Sequence, residues 1–141
     1  MTQELWRRVD QYIAAQLVPE DPFAAALDNA ARLGLAPYHV TPAQGKMLHI
    51  FARMQRARRI LEIGTLGGYS ALWMASAMPP DGKLITLESD AQHVAAARAN
   101  IEQAGLSGVI EVRHGRALDL LPALADFAPL DLAFIDADKF S

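Results

Sequence analysis

Apolar positions in the first part of the chain recur with a helical period. Leu5, Val9, Tyr12, Ile13 and Leu17 stand three or four residues apart until a proline-bounded stretch at 19–22 breaks the series. A second helix is predicted over about 23–33, with Gly34 past its end. Thr41 followed by Pro42 has the chemistry of an N-cap and first helical position, and Met47, Leu48, Ile50, Phe51 and Met54 carry a third helix beyond them. The period then changes. "RILEIG", "KLITLE", "VIEVRHG" and "LDLAFID" are short apolar or β-branched runs that start near 59, 84, 109 and 131. Between them "YSALWMASAM", "SDAQHVAAARANIEQAG" and "ALDLLPALADF" are predicted to be helical, the second capped by Asp90 and ended by Gly105, the third interrupted by a proline. Strands alternating with helices imply an α/β fold: a parallel sheet flanked by helices on both faces, joined by right-handed crossovers. The expected organisation is an N-terminal helical segment over 1–57 followed by βα units over 58–141, within one domain.

Composition narrows the partners. A hydrophobic share of 52% and a charged share of 21% suit a globular chain that buries a core. A formal charge of -3 argues against nucleic acid, whose phosphate backbone favours a basic face. The absence of cysteine excludes disulfides and thiolate metal sites. The first residues, "MTQELWRRVDQYIAAQL", lack the apolar segment of a signal peptide, and no run approaches the ~20 apolar residues of a membrane span. No membrane partner is expected, and a cytoplasmic location follows as the default.

Candidate chemistry sits where the first strand turns into a helix, in "LEIGTLGGYS". In open α/β sheets ligands bind outside the carboxyl ends of the strands. Gly64, Gly67 and Gly68 allow close backbone approach and positive φ, though they also suit a turn that is only tight. A dinucleotide fingerprint would need glycine at 66 and 69, where Leu66 and Tyr69 stand, which weakens a nicotinamide reading. The next strand ends in Glu88, 20 residues after Gly68, where a carboxylate can accept hydrogen bonds from ribose hydroxyls or be merely solvated. Glycine turn and acidic strand tip together describe a pocket for a nucleoside-bearing ligand.

The stretches "RRILEIGTLGGYSALWMA", "GKLITLESD" and "PLDLAFIDADK" resemble the S-adenosylmethionine-dependent O-methyltransferases related to catechol and caffeoyl-CoA methyltransferases, in particular their small bacterial members. The resemblance runs from about Pro37 to Lys139 and implies a Rossmann-like methyltransferase fold. It implies S-adenosylmethionine as cofactor, lined by Glu62, Gly64 and Thr65, with Ser70 on the methionine carboxylate, Glu88 on the ribose, Ala117 near the adenine, Val40 closing over the methionine end and Asp138 facing the amine. It implies Asp136 as first ligand of a divalent, magnesium-like cation, and Lys139 as general base toward a small hydroxyl acceptor of catechol type. Plainer roles stay open for two of these: Val40 as a residue that only precedes a helix, and Lys139 as an exposed charge.

Other residues are expected to be structural. His39, His49, His93 and His114 lack ligand spacing; Arg53, Arg56, Arg58 and Arg59 suit a solvated helix end; Trp6 and Trp73 suit a core or an interface, and Met47, Met54, Met74 and Met78 suit packing. In the resembled family the sheet holds strands 3, 2, 1 and 4 side by side and then continues to a later Asp-Asn pair that completes the metal site. No Asp-Asn follows Lys139, so the chain is expected to lack the family's C-terminal third and to leave "LDLAFID" as an open apolar edge. A homodimer or self-association through that edge follows as an expectation. Two alternatives to a methyltransferase are a non-catalytic S-adenosylmethionine-binding fragment or scaffold and, more weakly, a nicotinamide-dinucleotide-binding domain.

Overall fold

Proline and threonine set the start of the helix that leads into the sheet, and glycines set most of the turns within it. In the computed structural model, which describes residues 2–137, three helices come first: α1 (Gln3–Leu17), α2 (Ala24–Arg32) and α3 (Pro42–Met54). Thr41 caps α3 as its sequence predicts. Its hydroxyl accepts from the Gln44 amide while the Gln44 side chain accepts from the Thr41 amide, a reciprocal box that satisfies two helix-end donors. Gly34 closes α2 at φ 75°.

The remainder alternates β1 (Arg59–Ile63), α4 (Tyr69–Ala75), β2 (Lys83–Glu88), α5 (Ala91–Gln103), β3 (Ile110–His114), α6 (Ala117–Leu120), a 3-10 segment (Leu121–Phe127) and β4 (Leu132–Ile135). The strands lie in the order β3-β2-β1-β4, and every pairing is parallel. The proline in "ALDLLPALADF" is accommodated by the change from α-helix to 3-10 at Leu121.

Alternation along the strands divides the core. Ile60, Leu84, Ile110 and Val112 face one way and pack with Leu48, Ala52, Leu72, Met74, Ala97 and Ile101 of α3, α4 and α5. Leu61, Ile85 and Leu87 face the other way, against Leu124 and the α6 and 3-10 segment. Both faces are covered as expected, the second by a much thinner layer. In this register Glu62 stands beside Thr86 on β2 and Phe134 on β4, pointing to the same side as Ile60.

The apolar stripe that predicts α1 is not a core face. No residue of α1 is buried, and Leu5, Trp6, Tyr12 and Leu17 are exposed, because α1 touches the rest mainly along α3. Met47 and Met54 on α3 are exposed as well, in contrast to the packing expected of them, while Trp73 and Met74 are buried. On β4, Ile135 is 72% exposed, so the predicted apolar edge is present.

Candidate functional site

Three strands end together below one cavity of about 910 Å³. Its floor comes from the turn after β1 and the tips of β2 and β4; its sides come from the segment before α3 and the start of α6. Val40, Gly64, Thr65, Ser70, Glu88, Ala117 and Asp136, all named from sequence, line it. Asp138 and Lys139 lie outside the described residues.

The turn is shaped by its backbone. Gly64 has φ 97° and Gly68 φ 82°, values at which a Cβ is strained. Leu66 also has positive φ, 49°, an uncommon conformation for a branched side chain. Glu88 holds this shape: its Oε2 accepts from the Thr65 amide at 3.2 Å and the Leu66 amide at 2.9 Å. Its Oε1 accepts from the Asp90 amide at 3.0 Å. A carboxylate offers about four acceptor positions, so these bonds leave about one, on Oε1, for a ligand hydroxyl. His93 Nδ1 lies 3.7 Å from that same oxygen.

Beneath the wall lies Glu62, which is fully buried and does not itself line the cavity. Ser70 donates to its Oε2 and Thr86 to its Oε1, both at 2.6 Å, and the Thr86 and Thr65 hydroxyls are 2.6 Å apart. Burial raises the Glu62 carboxyl from 4.5 to about 7; the hydroxyl bonds from Ser70 and Thr86 oppose the rise, and the Asp136 and Glu88 charges add to it. The structure thus places Glu62 behind the wall, not in the lining expected of it, and in contact with Ser70, which does line the cavity.

A second polar cluster anchors the turn from behind. Asn100 of α5, buried, donates to the Gly67 carbonyl at 2.8 Å and to the Ala26 carbonyl at 3.3 Å, and accepts from Asn29 at 2.7 Å. Tyr69 donates to Asp21 at 2.6 Å, tying α4 to the turn before α2; burial, with this bond second, pushes its phenol pKa up.

Sequence reasoning missed several cavity residues: Tyr38, His39, Tyr69, Ser89, Asp90, His93 and Arg116. Position could have found some of them. His39 adjoins Val40, and His93 follows the Asp90 cap by three residues, on the helical turn that begins beside Glu88. Among the described residues no group of three His, Asp or Glu side chains could hold a metal ion, so Asp136 stands as a lone carboxylate of the expected cation site. Nor is any described helix long and apolar enough to cross a membrane.

Comparison with known proteins gives a consistent family. The family model described as O-methyltransferase matches residues 16–141. A catechol O-methyltransferase of Niastella koreensis is 44% identical over 142 residues, covering 99% of this chain and 64% of that protein. The crystal structure of a Bacillus cereus O-methyltransferase in complex with SAH superposes with a TM-score of 0.92 at 45% identity, covering 96% of this chain and 63% of that one. A Streptomyces achromogenes O-methyltransferase involved in tomaymycin synthesis, in complex with SAM, gives 0.89 at 44% identity, covering 99% and 64%. The chain therefore spans a little under two thirds of the length of these relatives.

Proposed function

As this chain belongs to the O-methyltransferase family, we propose that it binds S-adenosylmethionine in the cavity above β1, β2 and β4 and that the whole protein transfers its methyl group to a hydroxyl of a small, catechol-like acceptor. The observation that carries the binding half is the Glu88 tip. Its carboxylate shapes the Thr65–Leu66 turn and keeps a free acceptor position facing the cavity, as recognition of a ribose hydroxyl requires.

When bound, the cofactor would supply an electrophilic methyl carbon on its sulfonium, to be attacked in line by an oxygen nucleophile as the C–S bond breaks and S-adenosylhomocysteine leaves. The chain's own residues bind and orient. Glu88 takes the ribose, Ser70 the methionine carboxylate, Gly64 and Thr65 the body of the ligand, Val40 and Ala117 its two ends, and Asp138 the amine. Lys139 is the proposed base toward the acceptor hydroxyl. Most of the rate gain expected of such a site comes from alignment and electrostatics.

A divalent cation is proposed only as far as Asp136 carries it. Hard cations take six or more oxygen ligands, so water, the acceptor or groups outside the described residues would have to supply the others, and no step is derived through the metal. The coverage of the relatives favours one second reading, in which the 141-residue chain binds the cofactor without turnover. Self-association is proposed through the outer edge of β4, where Ile135, and Leu130 just ahead of the strand, are exposed. A monomer by light scattering would remove that part.

Calorimetric titration with S-adenosylhomocysteine tests the binding half, and binding is expected. Saturable heat with NAD and none with S-adenosylhomocysteine would sink the reading. Methylation of catechol by S-adenosylmethionine, with and without magnesium and followed by mass spectrometry, separates an enzyme from a binding fragment.

A further inference from the structure

Ser70 has one hydroxyl proton, and two partners compete for it. On its buried side Oγ lies 2.6 Å from Glu62 Oε2; on the other it lines the cavity. With Glu62 ionised, the carboxylate accepts from both Ser70 and Thr86, and Ser70 offers the cavity only lone pairs. With Glu62 protonated on Oε2, the carboxyl donates to Ser70 Oγ, still accepts from Thr86 on Oε1, and leaves the Ser70 O–H free to point into the cavity. The heavy atoms are the same in both arrangements. The polarity of the wall is reversed. Thr65 cannot compensate, because its hydroxyl is spent on Thr86, which donates onward to Glu62.

A ligand carboxylate at Ser70 is repelled by the first arrangement and hydrogen-bonded by the second. We propose that Glu62 is a positioning residue whose proton makes Ser70 a donor, so that binding of a ligand carboxylate at Ser70 is accompanied by uptake of one proton at Glu62. The inference rests on the reading that the methionine end of S-adenosylmethionine lies at Ser70.

The surroundings of Glu62 favour such uptake. It is 0% exposed, and the charged groups that act on it are carboxylates, Glu88 from β2 and Asp136 from just past β4, while α4 contributes the Ser70 hydroxyl and β2 the Thr86 hydroxyl. Its carboxyl, raised to about 7 chiefly by burial, is divided between its two forms near neutrality, so a ligand can draw the proton at small cost. His39 and His93 line the same cavity, so their protonation has to be separated from that of Glu62.

The test is calorimetry of S-adenosylhomocysteine binding to the 141-residue chain at pH 8, in buffers of differing ionisation enthalpy, which counts the protons exchanged. Close to one proton taken up is expected, with affinity falling by up to about tenfold per pH unit above neutrality. 5′-Methylthioadenosine, which lacks the carboxylate, should bind with no uptake. Glu62→Gln, whose amide donates permanently to Ser70, should lose both the uptake and the steep pH dependence, leaving any histidine contribution behind. Ser70→Ala should lose the uptake too, and it keeps the proposal decidable if the Glu62 variant fails to fold. Binding of S-adenosylhomocysteine without uptake overturns this inference and leaves the cofactor reading intact; uptake that persists in Ser70→Ala or with 5′-methylthioadenosine also overturns it. No binding at any pH overturns both.

Discussion

Gly64 lies directly against the backbone of Asp136: a Cβ on Gly64 would stand 2.3 Å from the Asp136 carbonyl oxygen. The Asp136 amide in turn donates to the Ile63 carbonyl at 2.9 Å, so the tips of β1 and β4 are held at a separation that only glycine permits. Gly64→Ala combines this clash with a φ of 97° that disfavours any side chain. A loss of about 2 kcal/mol or more is expected in denaturant unfolding. S-Adenosylhomocysteine binding should weaken as well, and a variant of unchanged stability and affinity would show that the two tips are free to separate.

Glu88→Gln keeps the shape of the side chain but replaces one acceptor oxygen with a donor, which faces the amides of Thr65 and Leu66 or that of Asp90. With the amide nitrogen toward Thr65 and Leu66 the turn loses both of those bonds; with it toward Asp90, that bond and the acceptor position proposed for the ribose are lost together. Affinity for S-adenosylhomocysteine should fall by about ten- to a hundredfold in calorimetry. An unchanged affinity would place the ribose elsewhere.

Asn100→Ala should destabilise the fold by about 1–3 kcal/mol, since it leaves the Gly67 carbonyl without its donor and Asn29 without its acceptor. The same change should loosen the glycine turn. Hydrogen exchange at the 64–68 amides reads that local effect apart from the global one; exchange that is no faster would confine Asn100 to a packing role.

Glu62 gives stability a pH dependence opposite to that of an ordinary surface carboxylate. Its folded-state pKa, raised from 4.5 to about 7 mainly by burial, exceeds the unfolded value, so its contribution is full below about 4.5 and is lost as pH rises through about 7. The fall over that window is about 3 kcal/mol. Glu111, held low chiefly by its hydrogen bond from Lys83, acts in the other sense at lower pH. The difference in unfolding free energy between the chain and Glu62→Gln, measured from pH 5 to pH 8, isolates the Glu62 contribution. A difference that does not change with pH would contradict it.

The strand starts, the Thr41 and Asp90 caps and the glycine turn were legible because each is a local matter of period or of backbone chemistry. The cavity wall was legible in part for the same reason: Gly64, Ser70 and Glu88 sit at element ends, where a side chain has little choice of direction. Glu62 was expected in the lining, and its place behind the wall was not legible. Its neighbours Ser70 and Thr86 come from other elements, and only the β1–β2 register brings Thr86 alongside. His93 was missed because a lone histidine on a helix carries no signal until the helix is docked beside Glu88. The α1 stripe misled in the opposite sense, since period reports which side is apolar and not whether anything covers it.

The pairing of β1 with β4 has a consequence for the order in which the molecule assembles. Ile60 meets Leu84 on one side and Leu132 on the other, so the second contact closes a far longer loop than the first. Long-range parallel pairing is slow to form, because the entropy of closure is lost before the contacts reward it. The half of the cavity that carries Glu88, built on β1 and β2, should therefore mature first, with Asp136 arriving when β4 docks. Pulse-labelled refolding should protect the amides of β2 ahead of those of β4, and the reverse order would show that the outer strand nucleates the sheet.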